Sequence, residues 1–188
     1  EILNYLHDLR QQFADVLLQP NIRQFHITLF VCGFLTENSK KLDDDFPEYN
    51  IKLQQQLLEQ LQLQPIILKT GAIQSFDSAL YIEILDPQNS LSKIRHQFYK
   101  QHQEPAPLKY TPHITLGLYH SEFKGSDIFN KIKHIEQKTF QMNVKHLSFG
   151  IYKAKILQGE LYPKQVFSLA HHPETQRPET GSSKQCCN

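Results

Sequence analysis

Two copies of one short pattern carry the side chains best suited to chemistry in this chain of 188 residues. Each copy reads His-Ile-Thr-Leu, and the polar residues concerned are His26, Thr28, His113 and Thr115. Since the unperturbed pKa of imidazole is about 6.5, one ring can accept a proton near neutral pH while a second ring donates one. A threonine hydroxyl can donate a hydrogen bond to a phosphate oxygen on which negative charge grows. The four side chains therefore predict acid–base chemistry on a phosphate group.

Both copies are predicted to be β-strands, because Ile, Thr, Leu and Phe favour a pleated, half-buried surface. Alternate side chains of a strand share a face, so the histidine and threonine of each copy point one way and the Ile and Leu point the other. Random placement of the ten histidines and the threonines would give fewer than one His-x-Thr triplet. Two matching copies therefore favour a shared function. The alternative is a pair of ordinary strands with partly buried histidines.

The spacing of apolar residues predicts the elements that must position the two copies. Helices are predicted over 2–18, 47–62, 88–102 and 126–135, and strands over 23–34, 66–73, 79–85, 111–119, 140–155 and 161–170. A loop over 37–45 and a stiff proline-containing connector over 104–107 complete the order. A helix follows each motif strand, which indicates an approximate internal duplication. Two α+β lobes would then pack side by side, each bringing one motif strand to a shared cleft.

The paired motifs resemble those of the 2H phosphoesterases, a family that includes 2′-5′ RNA ligase-like proteins, cyclic nucleotide phosphodiesterases and viral 2′,5′-phosphodiesterases. The segment FHITLFVCGFL is most similar in character to the central domain of A-kinase anchoring protein 7. The resemblance covers roughly residues 1–170. It implies a two-lobed α+β fold in which each lobe is an antiparallel sheet with helices on its outer side, and the motif strands line a central cleft. It also implies a leading strand just before residue 1, in a longer parent chain.

The resemblance further implies that the two histidines and two threonines are the catalytic residues of a phosphodiesterase that needs no metal or cofactor. We assign His26 as the general acid and His113 as the general base. The substrate would be a nucleotide or short RNA with a 2′,5′ or 2′,3′-cyclic phosphodiester bond. Two alternatives stay open, namely a non-catalytic nucleotide-binding module of a larger scaffold protein and an RNA end-joining activity.

Four aromatic residues are candidates for substrate binding. Tyr119 and Phe30 continue the faces of the motif histidines and could stack on a base, although packing in the core is the alternative for both. Phe149 and Tyr152 could flank the cleft from a late strand.

A basic residue shortly after the second motif is common in the family, but here no Lys or Arg follows until Lys124. Lys109, just before the motif, or Lys153 could anchor the phosphate instead. This difference from the family pattern is also compatible with a domain that binds a nucleotide but hydrolyses it slowly.

The composition sets further limits on the function. Twenty basic and 19 acidic residues give a net charge of +1, so no overall field favours long duplex nucleic acid. No apolar run approaches the roughly 18 residues of a membrane span, and no Cys or His spacing indicates a metal site. A chain of this length suits one monomeric domain.

The cysteines and the C-terminal residues complete the sequence-based expectations. Cys32, Cys186 and Cys187 do not form a disulfide framework, so we expect an intracellular, reducing compartment. Residues 171–188 are rich in Pro, Glu, Thr, Ser and Gly and are predicted to be a disordered tail. The adjacent terminal cysteines could be lipidated, but Gln185 stands where a prenylation box requires cysteine.

Overall fold

The computed structural model describes residues 1–37, 41–105 and 109–169. Within these ranges the helices are α1 (Ile2–Gln12), α2 (Tyr49–Leu61), α3 (Ser90–Tyr99) and α4 (Gly125–Lys133). The strands are β1 (Phe34–Thr36), β2 (Asp45–Pro47), β3 (Ile66–Ser75), β4 (Ala79–Leu85), β5 (His113–Leu118), β6 (Gln141–Val144), β7 (His146–Ile151) and β8 (Tyr162–Ser168). The predicted α+β class is confirmed. The predicted tail over 171–188 and parts of the predicted loop and connector lie outside the described residues.

An antiparallel four-stranded sheet forms the larger unit, in the order β5-β4-β3-β6. Along β3 the side chains of Ile66, Leu68 and Thr70 are buried, whereas Ile67 and Lys69 between them are exposed. This alternation gives the sheet one apolar face. The buried faces of α1, α3 and α4 belong to the same hydrophobic core as that face. The helices therefore cover one side of the sheet and leave the other side for polar residues.

The remaining strands form two short pairs that associate with α2. Strands β1 and β2 are parallel, whereas β7 and β8 are antiparallel. Phe46 of β2 stacks on Phe149 of β7 with ring centroids 5.7 Å apart. Lys164 of β8 forms an ion pair of 2.5 Å with Glu48, just before α2. These contacts join the two strand pairs and the helix into a second unit, consistent with a two-lobed fold.

Two predicted elements near the N-terminus are shorter than expected. The helix predicted over 2–18 ends at Gln12, because Leu17 instead pairs with Tyr119 beside β5 and the Leu18 N–H donates to the Leu118 carbonyl at 2.8 Å. The strand predicted over 23–34 is reduced to an isolated bridge at Ile27 and to Phe34, the first residue of β1. Apolar spacing could not reveal these changes, since both depend on contacts with a distant part of the chain.

The later strands also differ from the prediction in their pairing. The strand predicted over 140–155 is divided between β6, which joins the four-stranded sheet, and β7, which pairs with β8. Strand β2 lies at the junction of the loop predicted over 37–45 and the helix predicted over 47–62, where no strand was predicted. The four-stranded sheet combines β3 and β4 with β5 and β6, so it contains strands from both halves of the sequence. Among the described helices, none has the length and apolar character needed to cross a membrane.

Candidate active site

The two motifs meet directly in the structure. Ile27 and Ile114, the central residues of the two copies, form an antiparallel bridge. Ile114 is 4% exposed, and Ile27 packs partly buried against the same core. Since neighbouring residues on a strand point to opposite faces, the motif histidines and threonines lie on the face away from this core.

The antiparallel register pairs each histidine with the threonine of the other motif. His26 lies opposite Thr115, and Thr28 lies opposite His113, on either side of the central bridge. The two histidines are then diagonal neighbours, a relation that places residues about 7–8 Å apart. Both rings extend from the same face of the paired strands, so a single group that binds on this face can contact both. The arrangement has the approximate twofold symmetry expected from two equivalent motifs.

Both histidines make the same hydrogen bond through Nδ1. The Nδ1 of His26 lies 2.8 Å from the Gln24 carbonyl, and the Nδ1 of His113 lies 2.6 Å from the Thr111 carbonyl. A carbonyl oxygen only accepts, so in each ring Nδ1 must carry the proton that forms this bond. Nε2 is then the atom that accepts a proton in the neutral ring and donates one in the charged ring. The backbone therefore prepares both rings for acid–base chemistry at Nε2.

Strand β4 and the turn that precedes it add three residues to this face that sequence reasoning missed. Tyr81 is opposite Thr115, and Glu83 is opposite His113, in the register of β4 and β5. Phe76 stacks on Tyr81 with centroids 4.0 Å apart, and both rings contact the His113 ring edge-on at 5.1 and 5.2 Å. The strands predicted over 66–73 and 79–85 leave Phe76 in the connection between them, but the sequence did not predict that β4 would pair with the second motif strand.

Tyr119 lies at the far end of β5, beyond a β-bulge. Thr115 is opposite Tyr81 and Gly117 is opposite Leu80, so one extra residue interrupts the alternation between His113 and Tyr119. The face predicted for Tyr119 by simple alternation therefore does not apply. Its ring packs partly buried against the core, and its hydroxyl lies 2.8 Å from the Ser75 hydroxyl. Burial raises the pKa of Tyr119.

Two other aromatic candidates have packing partners. Phe30 contacts Phe98 and Tyr99 of α3 edge-on, with centroids 5.5 and 5.1 Å apart. Phe149 stacks on the buried ring of Phe46. These contacts favour a structural role for both residues.

The last three candidates are exposed. Tyr152 is 52% exposed, and the guanidinium of Arg23 lies 4.2 Å from its ring centroid. Lys109 and Lys153 are exposed as well. Within the described ranges, no group of three His, Cys, Asp or Glu side chains lies close enough together to hold a metal ion.

Comparison with known proteins identifies the family to which the chain belongs. No individual curated protein matches the chain, so the closer likeness to A-kinase anchoring protein 7 stays a prediction. The sequence profile of the 2′-5′ RNA ligase superfamily matches residues 2–155, a range that contains both motifs. Since this match spans well over half of the chain, the protein belongs to the 2′-5′ RNA ligase superfamily and is an enzyme of the 2H phosphoesterase kind.

Proposed function

We propose that the protein is a metal-independent phosphodiesterase that hydrolyses 2′,5′ or 2′,3′-cyclic phosphodiester bonds in RNA or nucleotides. The observation that carries this proposal is the bridge between Ile27 and Ile114, which brings two identical motifs together. The matching Nδ1 bonds of both histidines support it, because they leave two equivalent Nε2 atoms for proton transfer. The family supports the general chemistry, and the choice of bond and direction is our inference.

In the proposed reaction the neutral ring of His113 removes a proton from water, and the water oxygen attacks phosphorus. The bond from phosphorus to the leaving ribose oxygen breaks, and charged His26 gives its Nε2 proton to that oxygen. For a 2′,3′-cyclic phosphate the product is a monoester. Thr28 and Thr115 donate hydrogen bonds to the non-bridging oxygens, where negative charge grows in the transition state. Matched acid and base of this kind contribute on the order of 10²–10⁴-fold each.

The stacked pair of Phe76 and Tyr81 is our candidate for contact with a base. Phe76 is 37% exposed, whereas Tyr81 beneath it is 8% exposed, so Phe76 offers a ring face supported from behind. Both rings touch His113, which places the pair beside the proposed reaction centre. A base stacked on an aromatic side chain gains about 1–3 kcal/mol. This pair therefore replaces Phe30 as the stacking surface that we propose.

The test is a hydrolysis assay on 2′,5′-oligoadenylate, 3′,5′-linked RNA and 2′,3′-cyclic nucleotides in the presence of a chelator. We expect turnover of at least one of the first and third substrates, and a loss of about 10²–10⁴-fold in kcat for His26→Ala and for His113→Ala. His134→Ala is a matched control, since the Nδ1 of this exposed ring also bonds a backbone carbonyl, that of Asn130, at 2.7 Å. Full activity in either motif variant would refute the assignment.

The name of the matched superfamily also raises the reverse reaction, in which two RNA ends are joined. The same side chains would serve this direction, because a general acid and a general base exchange roles when a reaction is reversed. Incubation with 2′,3′-cyclic-phosphate and 5′-hydroxyl RNA ends distinguishes the two. Joined product without hydrolysis would replace our proposal with a ligase, and calorimetric nucleotide binding without any turnover would replace it with a binding module.

A further inference from the structure

Each motif accepts an arginine hydrogen bond at the same backbone position. Arg10 of α1 donates from Nε to the Leu116 carbonyl at 2.6 Å, and Arg95 of α3 donates from Nη1 to the Leu29 carbonyl at 2.6 Å. Both leucines directly follow the motif threonine. The same contact is thus made twice, once for each copy of the pattern.

Each arginine also stacks on an aromatic ring that precedes the other motif. The guanidinium of Arg10 lies 3.9 Å from the ring centroid of Phe25, which directly precedes His26. The guanidinium of Arg95 lies 3.9 Å from the ring centroid of Tyr110, three residues before His113. Each arginine therefore contacts both motif segments, one through a carbonyl and the other through a ring.

Further bonds strengthen the connection on the side of the first motif. The Tyr110 hydroxyl donates to the Thr28 carbonyl at 3.2 Å. Glu104 accepts from both terminal nitrogens of Arg95, at 3.1 and 2.6 Å, and from the Val31 N–H at 2.7 Å. Arg95 and Glu104 are both buried, so these bonds are protected from competing water.

The first motif has particular need of such contacts. Among residues 21–33 the only β-pairing is the isolated bridge at Ile27, so no regular ladder of backbone hydrogen bonds fixes the strand. Backbone polar groups in a folded protein require partners, and here side chains supply several of them. A shift by one residue along a strand turns every side chain to the opposite face. The position of His26 and Thr28 therefore depends on what fixes this short bridge.

We propose that Arg10 and Arg95 form an arginine clasp that positions the two motifs so that one phosphate can reach both Nε2 atoms. We define the clasp as these two arginines, the Leu116 and Leu29 carbonyls that they bind, and the rings on which they stack. Its residues act on the backbone and the flanking rings rather than on the substrate. This inference rests on the proposed phosphodiesterase function and goes beyond it, since it assigns positioning residues outside the motifs.

The test compares kcat and KM for Arg10→Met, Arg10→Lys and Arg95→Met, the last combined with Glu104→Gln so that no buried carboxylate loses its cation. A displacement of about 1 Å at a reacting group can cost about 10²-fold in rate. We therefore expect kcat to fall about 10- to 100-fold in the methionine variants, with KM changed less than about threefold. Arg10→Lys keeps a charge and a donor but not the planar guanidinium, so its loss should be intermediate.

Lys131→Met is the control, because this helix cation pairs with the Asp15 side chain and lies 5.2 Å from the Phe13 ring, away from the motif carbonyls. It should keep the wild-type kcat. A loss confined to KM would assign the arginines to substrate binding and would overturn the clasp, as would unchanged kcat in folded variants.

A second measurement separates this inference from the proposed function. If the wild-type protein turns over none of the substrates, the proposed function fails, but NMR spectra of the histidine rings still test the clasp. Changed ring shifts of both His26 and His113 in Arg10→Lys would support it, because each arginine contacts both motif segments. Unchanged ring shifts would overturn it.

Discussion

Replacing Glu104 by leucine is expected to lower the free energy of unfolding by about 3–5 kcal/mol, because it leaves a buried arginine charge without its partner. The side chains of Arg95 and Glu104 are only 8% and 7% exposed, and their closest atoms are 2.6 Å apart. The leucine would also remove the acceptor of the Val31 N–H and of the Tyr99 hydroxyl. An exposed ion pair contributes only about 0–1 kcal/mol, so the size of the stability loss distinguishes a buried ion pair from an exposed one.

The loss should be visible as a shift in the thermal midpoint. For a chain of this size, 1 kcal/mol corresponds to about 2–4 °C, so Glu104→Leu should lower Tm by about 6–20 °C. Removing both charges in the double variant Arg95→Met/Glu104→Leu should cost much less than the single change, since no buried charge is left unpaired. Asp15→Asn is the exposed control, because Asp15 pairs with Lys131 while its side chain is 67% exposed. It should cost less than about 1 kcal/mol.

The same carboxylate gives the stability a defined dependence on pH. Burial alone would raise the pKa of Glu104, but hydrogen bonds from Arg95, Tyr99 and the Val31 N–H outweigh it and hold the pKa below its ordinary value. A carboxyl whose pKa is lower in the folded state stabilises the protein above the unfolded-state value, about 4.3 for Glu. That contribution is lost as the pH falls from this value through the lower folded-state pKa. The amide in Glu104→Gln cannot titrate, so the difference in the free energy of unfolding between wild type and this variant should become smaller in acid.

Urea unfolding followed by circular dichroism from pH 7 to pH 3 measures these differences directly. A loss below 1 kcal/mol for Glu104→Leu would refute the argument from burial. A difference between wild type and Glu104→Gln that stays constant over this pH range would refute the assigned pKa direction. The wild-type slope alone is not sufficient, because other carboxyl groups titrate in the same range.

Three further predictions concern individual side chains. Phe76→Leu should raise KM for an oligonucleotide about 5- to 150-fold, which corresponds to the 1–3 kcal/mol of base stacking, while Phe123→Leu should leave KM unchanged. Equal KM values for wild type and Phe76→Leu in steady-state assays would contradict the stacking role. Thr115→Val should lower kcat about 10- to 10³-fold, whereas Thr115→Ser should keep most of the wild-type kcat, since only the hydroxyl donor is needed. Similar kcat values for the two variants would argue against that donor. Burial raises the pKa of Cys32 to about 11, so at pH 8 only about one Cys32 thiol in a thousand is ionised. Alkylation of Cys32 in the folded protein, measured by mass spectrometry of the peptide that contains it, should therefore be over 100-fold slower than alkylation of free cysteine. A comparable rate would show that the thiol is accessible and ionised.

The direction of the motif side chains could be predicted from the sequence because alternation is a local property. In each copy His and Thr had to share one face and Ile the other, and the buried Ile114 lies on the core side as that pattern requires. The helices were located by their apolar spacing for the same reason, with α2, α3 and α4 close to their predicted positions. The residues that each helix buries follow the helical repeat of about 3.6 residues, which can be recognised in the sequence of that segment alone.

Pairing between distant segments could not be predicted in this way. The β-bulge near Thr115 changes the face of Tyr119, and it exists only because β4 pairs with β5. Tyr81 and Glu83 reach the motif face through the same pairing, and Phe76 contacts His113 from the turn before β4. No local pattern encodes it, since strands of similar apolar character can pair in several orders.

The sequence alone therefore determined which side chains could do the chemistry and which face of each strand would present them. The tertiary structure decided that the two strands meet at Ile27 and Ile114, which puts each histidine across from the threonine of the other motif. It also decided that Arg10 and Arg95 bind the motif backbone from two different helices. The physical reason is that side-chain direction follows from the geometry of a single strand, whereas register depends on hydrogen bonds and packing between segments far apart in the chain.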